Sequence, residues 1–342
     1  DETAKLWQVS DGSLLNTLEG HSAAVSEIAF HPGGSAIASA SLDRTVKLWD
    51  ANTVGIAKTV EGHSAGVTGD AFTPDSSLMA SASYDKTVRL WDIPTGSHGN
   101  TLTDHTAKVS SVAFSPYGKT LASTSYDDTI KLWESETGTL LNTLEGHRDW
   151  VIVAAFSPDG SRLVTAGEDN TVKLWDVATG SLLKTFSDHR ASVWGVAFSS
   201  DGATVASASH DRTAKIWDVQ TGGALQTLSG HSDAVRSVAF SPDGALLATA
   251  SQDGTAKLWQ VNTGELINTL EDHSNHVYAV AFSPDGYTLA TASRDETIKL
   301  WQVNSGDLLS TLEGHDSWVL NVAFSPDSNT LATSCHDNTL KL

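Results

Sequence analysis

A histidine, a hydroxyl and an aspartate recur along this chain at constant spacing. His21 is followed by Ser39 eighteen residues on and by Asp43 twenty-two residues on. The same trio returns as His63, Ser81, Asp85, then as His105, Ser123, Asp127, and as His147, Thr165, Asp169. It continues as His189, Ser207, Asp211, then His231, Thr249, Asp253, then His273, Thr291, Asp295, and ends as His315, Thr333, Asp337. These are the residue types of acyl transfer, in which a serine attacks, a histidine takes its proton and an aspartate orients the imidazole. Eight hydrolytic centres in one chain have no chemical rationale. A tryptophan twenty-eight residues after seven of the histidines, from Trp49 and Trp91 through Trp175 to Trp301, gives the pattern another meaning. A buried indole N–H needs an acceptor and a buried carboxylate needs donors, so the four groups satisfy one another as a structural network. No glycine-rich phosphate loop, paired-carboxylate motif or nucleophile elbow accompanies them. The chain is therefore expected to be no enzyme, with no catalytic residue and no cofactor.

The elements that hold these groups follow from the period. Histidines stand at 21, 63, 105, 147, 189, 231, 273 and 315, always 42 residues apart, and tryptophans keep the same step from Trp7 to Trp301. Within a unit, VSEIAF (25–30) ends in an Ala-Phe found at that offset in every unit. A turn of the Ser-Pro-Asp-Gly kind (157–160) precedes a small-residue strand such as IASAS (37–41). A tight turn at Asp43-Arg44 leads into TVKLW (45–49), which alternates with period two, and a fourth strand such as SLLNTL (13–18) completes the unit. No stretch carries a sustained helical period, so the class is all-β. A four-stranded unit of about 40 residues cannot cover both of its faces alone, so units must stack. Neither end looks like a polar cap, which favours stacking around an axis, as in a propeller, over a linear solenoid. Residues 1–342 read as one domain.

Composition narrows the partners. Asp and Glu number 41 against 21 Lys and Arg, a net charge of −20, and such a surface is repelled by phosphate backbones, so no nucleic acid is expected. No apolar run approaches the length of a bilayer span, so no membrane partner is expected. The lone Cys335 forms no internal disulfide and is expected to be a buried, inert thiol in a reducing cytoplasmic setting. His210, His276 and His336 lack ligand spacing and are expected to be solvated, with no metal bound. One basic residue at the centre of each third strand (Lys47, Arg89, Lys131, Lys173, Lys215, Lys257, Lys299, Lys341) is expected on a solvated face.

Trp-Asp stands at 49–50, 91–92, 175–176 and 217–218, softening to Trp-Glu at 133–134 and Trp-Gln at 7–8, 259–260 and 301–302. Gly-His stands at 20–21, 62–63, 146–147, 230–231 and 314–315, with Asp-His at 104–105, 188–189 and 272–273. On these motifs the whole chain resembles the WD-repeat β-propeller family. The resemblance implies blades of four antiparallel strands. It also implies tetrads, such as His147, Thr165, Asp169, Trp175 and His63, Ser81, Asp85, Trp91, hydrogen-bonded from indole through hydroxyl and imidazole to carboxylate. The eighth unit stops at Leu342, one residue short of its tryptophan, whereas Trp7 sits in DETAKLW (1–7). The expectation is an eight-bladed ring closed by the N-terminal strands joining the last blade, with 1–6 and 337–342 competing for one strand position. Seven blades and a spare unit is the alternative. The repeats also resemble the carboxyl-terminal propellers of NACHT- and NB-ARC-type signalling NTPases. That likeness implies a sensing part of a longer multidomain chain, and a start without Met agrees with it.

Over a uniform frame, the informative residues are those that vary between units. Three residues after the unit histidine lie Ala24, Gly66, Lys108, Trp150, Ser192, Ala234, His276 and Trp318. Five after it lie Ser26, Thr68, Ser110, Ile152, Trp194, Arg236, Tyr278 and Leu320, and twenty-one after it Leu42, Tyr84, Tyr126, Glu168, His210, Gln252, Arg294 and His336. In the resembled family these offsets meet on the narrower top rim of the channel. All three tryptophans outside the tetrad series, Trp150, Trp194 and Trp318, fall on them. Aromatics with arginine make binding hot spots. The rim set Trp150, Trp194, Trp318, Tyr278, Arg236, Tyr84, Tyr126, His276, Arg294 and Lys108 is expected to bind a protein or peptide. A lectin-like or small-ligand site, and a purely structural or engineered scaffold, are the alternatives, as is simple packing over the channel mouth.

Overall fold

The alternation in each unit resolves into strands whose turns are chemically specified. The computed structural model describes residues 3–53, 55–95 and 97–336. Among these, 32 strands form, from β1 (Ala4–Gln8) to β32 (Thr330–His336). The first full unit comprises β3 (Val25–Phe30), β4 (Ala36–Ser41), β5 (Val46–Asp50) and β6 (Ile56–Val60), in that order in one antiparallel sheet. Between β4 and β5, Arg44 takes the left-handed conformation (φ 76°), held because Asp43 Oδ1 accepts from the Thr45 amide (2.9 Å) and hydroxyl (2.6 Å). Lys86, Asp128, Asn170, Arg212 and Glu296 repeat the positive φ at the same offset.

On the inner strand, Val25 faces Ser41 while Glu27 faces Ala40, so Ser26 is an extra, bulged residue. The irregularity recurs in every inner strand, including β7 (Val67–Phe72) and β31 (Trp318–Phe324). It leaves the residue five after the histidine outside the pairing, and in the first blade its hydroxyl reaches the next inner strand at Val67. Inner strands of successive blades lie side by side, and β3 touches both β7 and β31, so the ring is closed.

The seam is the expected one. The last sheet runs β2-β1-β32-β31, with β2 at Leu14–Leu18. β1 pairs with β32 from Ala4↔Ser334 to Gln8↔Thr330 and with β2 on its other side. Eight four-stranded sheets result, which removes the seven-bladed alternative. The N-terminal strand holds the contested position. Residues 337–342, with Asp337 and Lys341 among them, lie outside the described residues.

The cores sit between blades rather than within them. Trp175, 1% exposed, packs with Val151 and Leu163 of its own blade against Ile130, Leu132 and Leu144 of the preceding one. At the seam Trp7 does the same against Ile298, Leu300 and Leu312. Removing roughly 200 Å² of indole from water contributes roughly 5 kcal/mol at each junction. Blade-to-blade adhesion, not any single sheet, holds the ring.

Candidate interaction rim

The hydrogen bonds of the tetrads decide whether they are chemistry or frame. Trp49 Nε1 donates to Ser39 Oγ (2.8 Å), which lies 2.8 Å from His21 Nε2, while His21 Nδ1 lies 2.8 Å from Asp43 Oδ2. Asp43 Oδ2 also accepts from the Ser22 amide. Burial would raise the Asp43 carboxyl, but hydrogen bonds from His21 and Thr45 prevail and hold it well below the ordinary carboxylate range. In the fourth blade Trp175 donates to Thr165 Oγ1 (2.8 Å), Thr165 meets His147 (2.8 Å) and His147 meets Asp169 (2.9 Å). The second blade repeats it with Trp91, Ser81, His63 and Asp85. At the seam Trp7 donates to Thr333 Oγ1 (3.1 Å), 2.7 Å from His315 Nε2, completing a network from the two ends of the chain. A hydrolytic serine must present its oxygen to substrate. Ser39, Ser81 and Thr165 are fully buried and already accept from an indole, so these hydroxyls have no room to attack anything.

The variable offsets converge on one rim. The residue twenty-one after the histidine of one blade meets the residue three after the histidine of the next. Lys108 Nζ sits 4.3 Å above the Tyr84 ring, and Tyr126 stacks on Trp150 at 4.3 Å and 3°. Ser192 donates to Glu168, Arg294 lies 3.9 Å over Trp318, and Leu42 covers Gly66, where a Cβ would come 2.8 Å from its side chain. Trp150 remains 46% exposed.

The two arcs of the rim differ at the bulge. Ser26, Thr68 and Ser110 donate to the Val67, Val109 and Val151 carbonyls of the next blade at 2.7, 2.8 and 2.6 Å, knitting blades together. From the fourth blade onward the bulge carries larger groups. Trp194 is stacked on His210 (5.0 Å, 11°) and covered by Arg236 (4.0 Å), which also reaches Tyr278 (5.6 Å). Tyr278 meets His276 and Trp318 at 6.3 Å each, and Trp318 stacks on His336 (5.3 Å). The result is a ladder of alternating cations and rings across four blades. All ten expected rim residues therefore lie in this surface, with packing and exposure present together.

Two expectations are corrected. His210, His276 and His336 are half-buried partners of rim aromatics rather than solvated side chains. The third-strand cations are not on a solvated face either. Lys47, Lys131, Lys173, Lys215, Lys257 and Lys299 are only 6–8% exposed, and each Nζ donates to the threonine opposite it, as Lys47 does to Thr59 at 3.0 Å. The reason is strand geometry: a residue two before the tryptophan shares its face, which is the buried one. Asp272, one of the aspartates replacing glycine before the histidine, pairs with Lys299. Cys335 is buried as expected, and burial raises its thiol above the ordinary range.

One cluster escaped the sequence reading. Asp70 occupies the offset where the other units carry Ile28, Val112, Ala154, Val196, Val238, Val280 and Val322. It is 7% exposed, and neither carboxylate oxygen has a hydrogen-bond partner. Burial drives its pKa up to about 7. Glu27 beside it is raised to about 8 by burial and then by the Asp70 charge, against the amide of Asn321, which donates to it. The signal that could have found it was a single charge at an otherwise aliphatic offset.

Among the described residues no group of three His, Cys, Asp or Glu side chains is placed to hold a metal, and no helix is long and apolar enough to cross a membrane. Comparison with known proteins gives three findings. The family model for the WD domain, G-beta repeat, matches residues 12–50, 56–92, 96–134, 264–302 and 306–342, and that for the IFT122 first beta-propeller matches 153–264. No curated protein matches the chain. Among solved structures, the chain is similar to the computationally designed Ika8 protein, at 31% identity and a TM-score of 0.82, over 93% of this chain and 98% of that one.

Proposed function

The chain belongs to the WD-repeat family, and from that premise we propose that it is a non-enzymatic interaction module that takes a protein or peptide on its aromatic rim. Propellers of this family generally mediate protein–protein contacts. The observation that carries the finer reading is the contrast between a frame repeated without a gap and a rim whose residues differ blade by blade. A half-exposed surface of Trp150, Trp194, Trp318, Tyr84, Tyr126 and Tyr278, interleaved with Lys108, Arg236, Arg294 and His276, has the composition of a recognition patch. The tetrad hydroxyls are buried and engaged, which favours binding over catalysis. A sensing role within a longer cytoplasmic signalling chain agrees with this surface and with a lone buried thiol.

The test is capture of partners by the wild-type ring and by the Trp150→Ala/Trp194→Ala/Trp318→Ala variant. These residues stand outside the tetrads, so the variant is expected to fold normally and lose its partners. Identical partner sets would overturn the rim reading, and a positive glycan array would replace it with a lectin-like one. A second reading, an engineered or purely structural repeat scaffold, is favoured by the gapless 42-residue period and the likeness to a designed protein. It expects no partner at all.

A further inference from the structure

Arg236 sits in an unusual electrostatic position. Its guanidinium lies 4.0 Å from the Trp194 ring centre and 5.6 Å from that of Tyr278, and Nη1 reaches His210 Nε2 at 3.2 Å. No carboxylate oxygen forms an ion pair with it among the described residues, although the chain carries 41 acidic side chains. Glu168 acts on it through its field alone, and its own carboxylate accepts from Ser192. An exposed cation needs no such partner because water serves, but Arg236 is half-buried between aromatic faces, which accept no ordinary hydrogen bond. Burial depresses the Arg236 guanidinium, and burial followed by the Arg236 charge depresses His210, leaving a neutral imidazole to accept from it. The indole Nε1 of Trp194, in the same stack, is buried without an acceptor. On the far side of the Tyr278–Trp318 pair, Arg294 covers Trp318, again without an ion pair among the described residues. The ladder therefore carries two guanidiniums and a buried indole donor, with one imidazole nitrogen to accept from Arg236 and no carboxylate paired to either guanidinium among the described residues.

Resting on the rim reading above, we propose that this part of the rim receives carboxylate side chains, so that the partner is a peptide segment carrying aspartate or glutamate, anchored on Arg236 and Arg294. A carboxylate supplies two coplanar oxygens that match the edge of a guanidinium. It also brings a single negative charge into the field of a chain with net charge −20, where a dianionic phosphate is disfavoured further. That same field suppresses non-specific attraction of acidic peptides, so any preference for them is local to these arginines.

The experiment is an array of random dodecamer peptides, synthesised in matched sets with Glu, Gln, Lys or phosphoserine at one position. It is read with the wild-type ring, Arg236→Met, Arg294→Met, Arg236→Lys and the triple tryptophan variant. Wild type is expected to prefer Glu over Gln about tenfold, and each Met substitution to remove most of that preference. Arg236→Lys keeps the charge and is expected to retain part of it. Melting curves confirm folding, and Arg294→Met stands in should Arg236→Met unfold. Peptides that are lost from the triple tryptophan variant but bind Arg236→Met and Arg294→Met as well as wild type would overturn the carboxylate assignment and leave the rim reading intact. A preference for phosphoserine over Glu would overturn it too. Binding that survives the triple variant, or no binding at all, would overturn both.

Discussion

Asp70→Val is expected to stabilise this protein, by an amount that grows with pH. Asp70 lies on β7, packed against β3, β4, β11 (Val109–Phe114) and β8 (Leu78–Ser83). The only other titratable side chain on these strands is Glu27, itself a carboxyl, so no cation offsets the Asp70 charge. The Ala40 amide approaches closely enough to soften the effect only in part. The carboxyl is raised from the ordinary 3.8 to about 7. That is about three powers of ten in proton affinity at about 1.4 kcal/mol each, or roughly 4 kcal/mol. The sign follows from linkage. Between the two values the folded chain binds this proton more tightly than the unfolded one, so the Asp70 contribution to stability falls as pH rises from about 4 to about 7 and is flat above. Valine has no such term and supplies the side chain found at this offset in five other units.

The assay is chemical unfolding of both proteins at about pH 4.5, 6 and 8, spanning the window set by that linkage. The difference is expected to be small at the lowest pH and to approach roughly 4 kcal/mol at the highest. An Asp70→Val variant that is less stable than wild type at about pH 8, or a difference independent of pH, would refute the reasoning.

Three further outcomes are expected. The carboxyls of Asp43, Asp85, Asp127, Asp169, Asp211, Asp253 and Asp295 are held below their ordinary range against the effect of burial. Their contribution is present above about pH 4 and lost as pH falls, so near-ultraviolet circular dichroism is expected to show a steep acid transition below that point. Trp175→Ala is expected to cost roughly 3–5 kcal/mol, and Thr165→Val roughly 1–3 kcal/mol for each of the two groups it strands. A melting curve unchanged by Trp175→Ala would contradict the register of the tetrads. Deletion of residues 1–8 removes β1, leaves β32 paired only with β31 and detaches β2 from the last blade, so the ring is expected to open. Small-angle scattering identical to wild type would contradict closure by the N-terminal strand.

The fold was legible because each unit repeats the same local rules eight times. A left-handed residue after Asp43, a two-residue alternation through TVKLW and a tryptophan needing an acceptor all act within one blade. The rim was legible only as a set of positions. That Tyr126 would lie flat on Trp150, or that Arg236 would reach both Trp194 and Tyr278, depends on contacts between adjacent blades. The true face of Lys47 and its equivalents was legible as well, since their spacing from the tryptophan assigns them to its buried side rather than to solvent.

By itself the sequence determined the period, the strand pattern, the tetrads and the count of repeat units, because short-range geometry and one repeated burial requirement suffice for these; the structure decided that all eight units are blades. Only the tertiary structure decided what happens between blades. It gave the closing strand position to residues 4–8 and assembled the cation–aromatic ladder. It also left Asp70 uncompensated in an apolar junction. The physical reason is that these features arise where surfaces from neighbouring blades meet, and the energy of a charge or ring there depends on which groups face it across the junction.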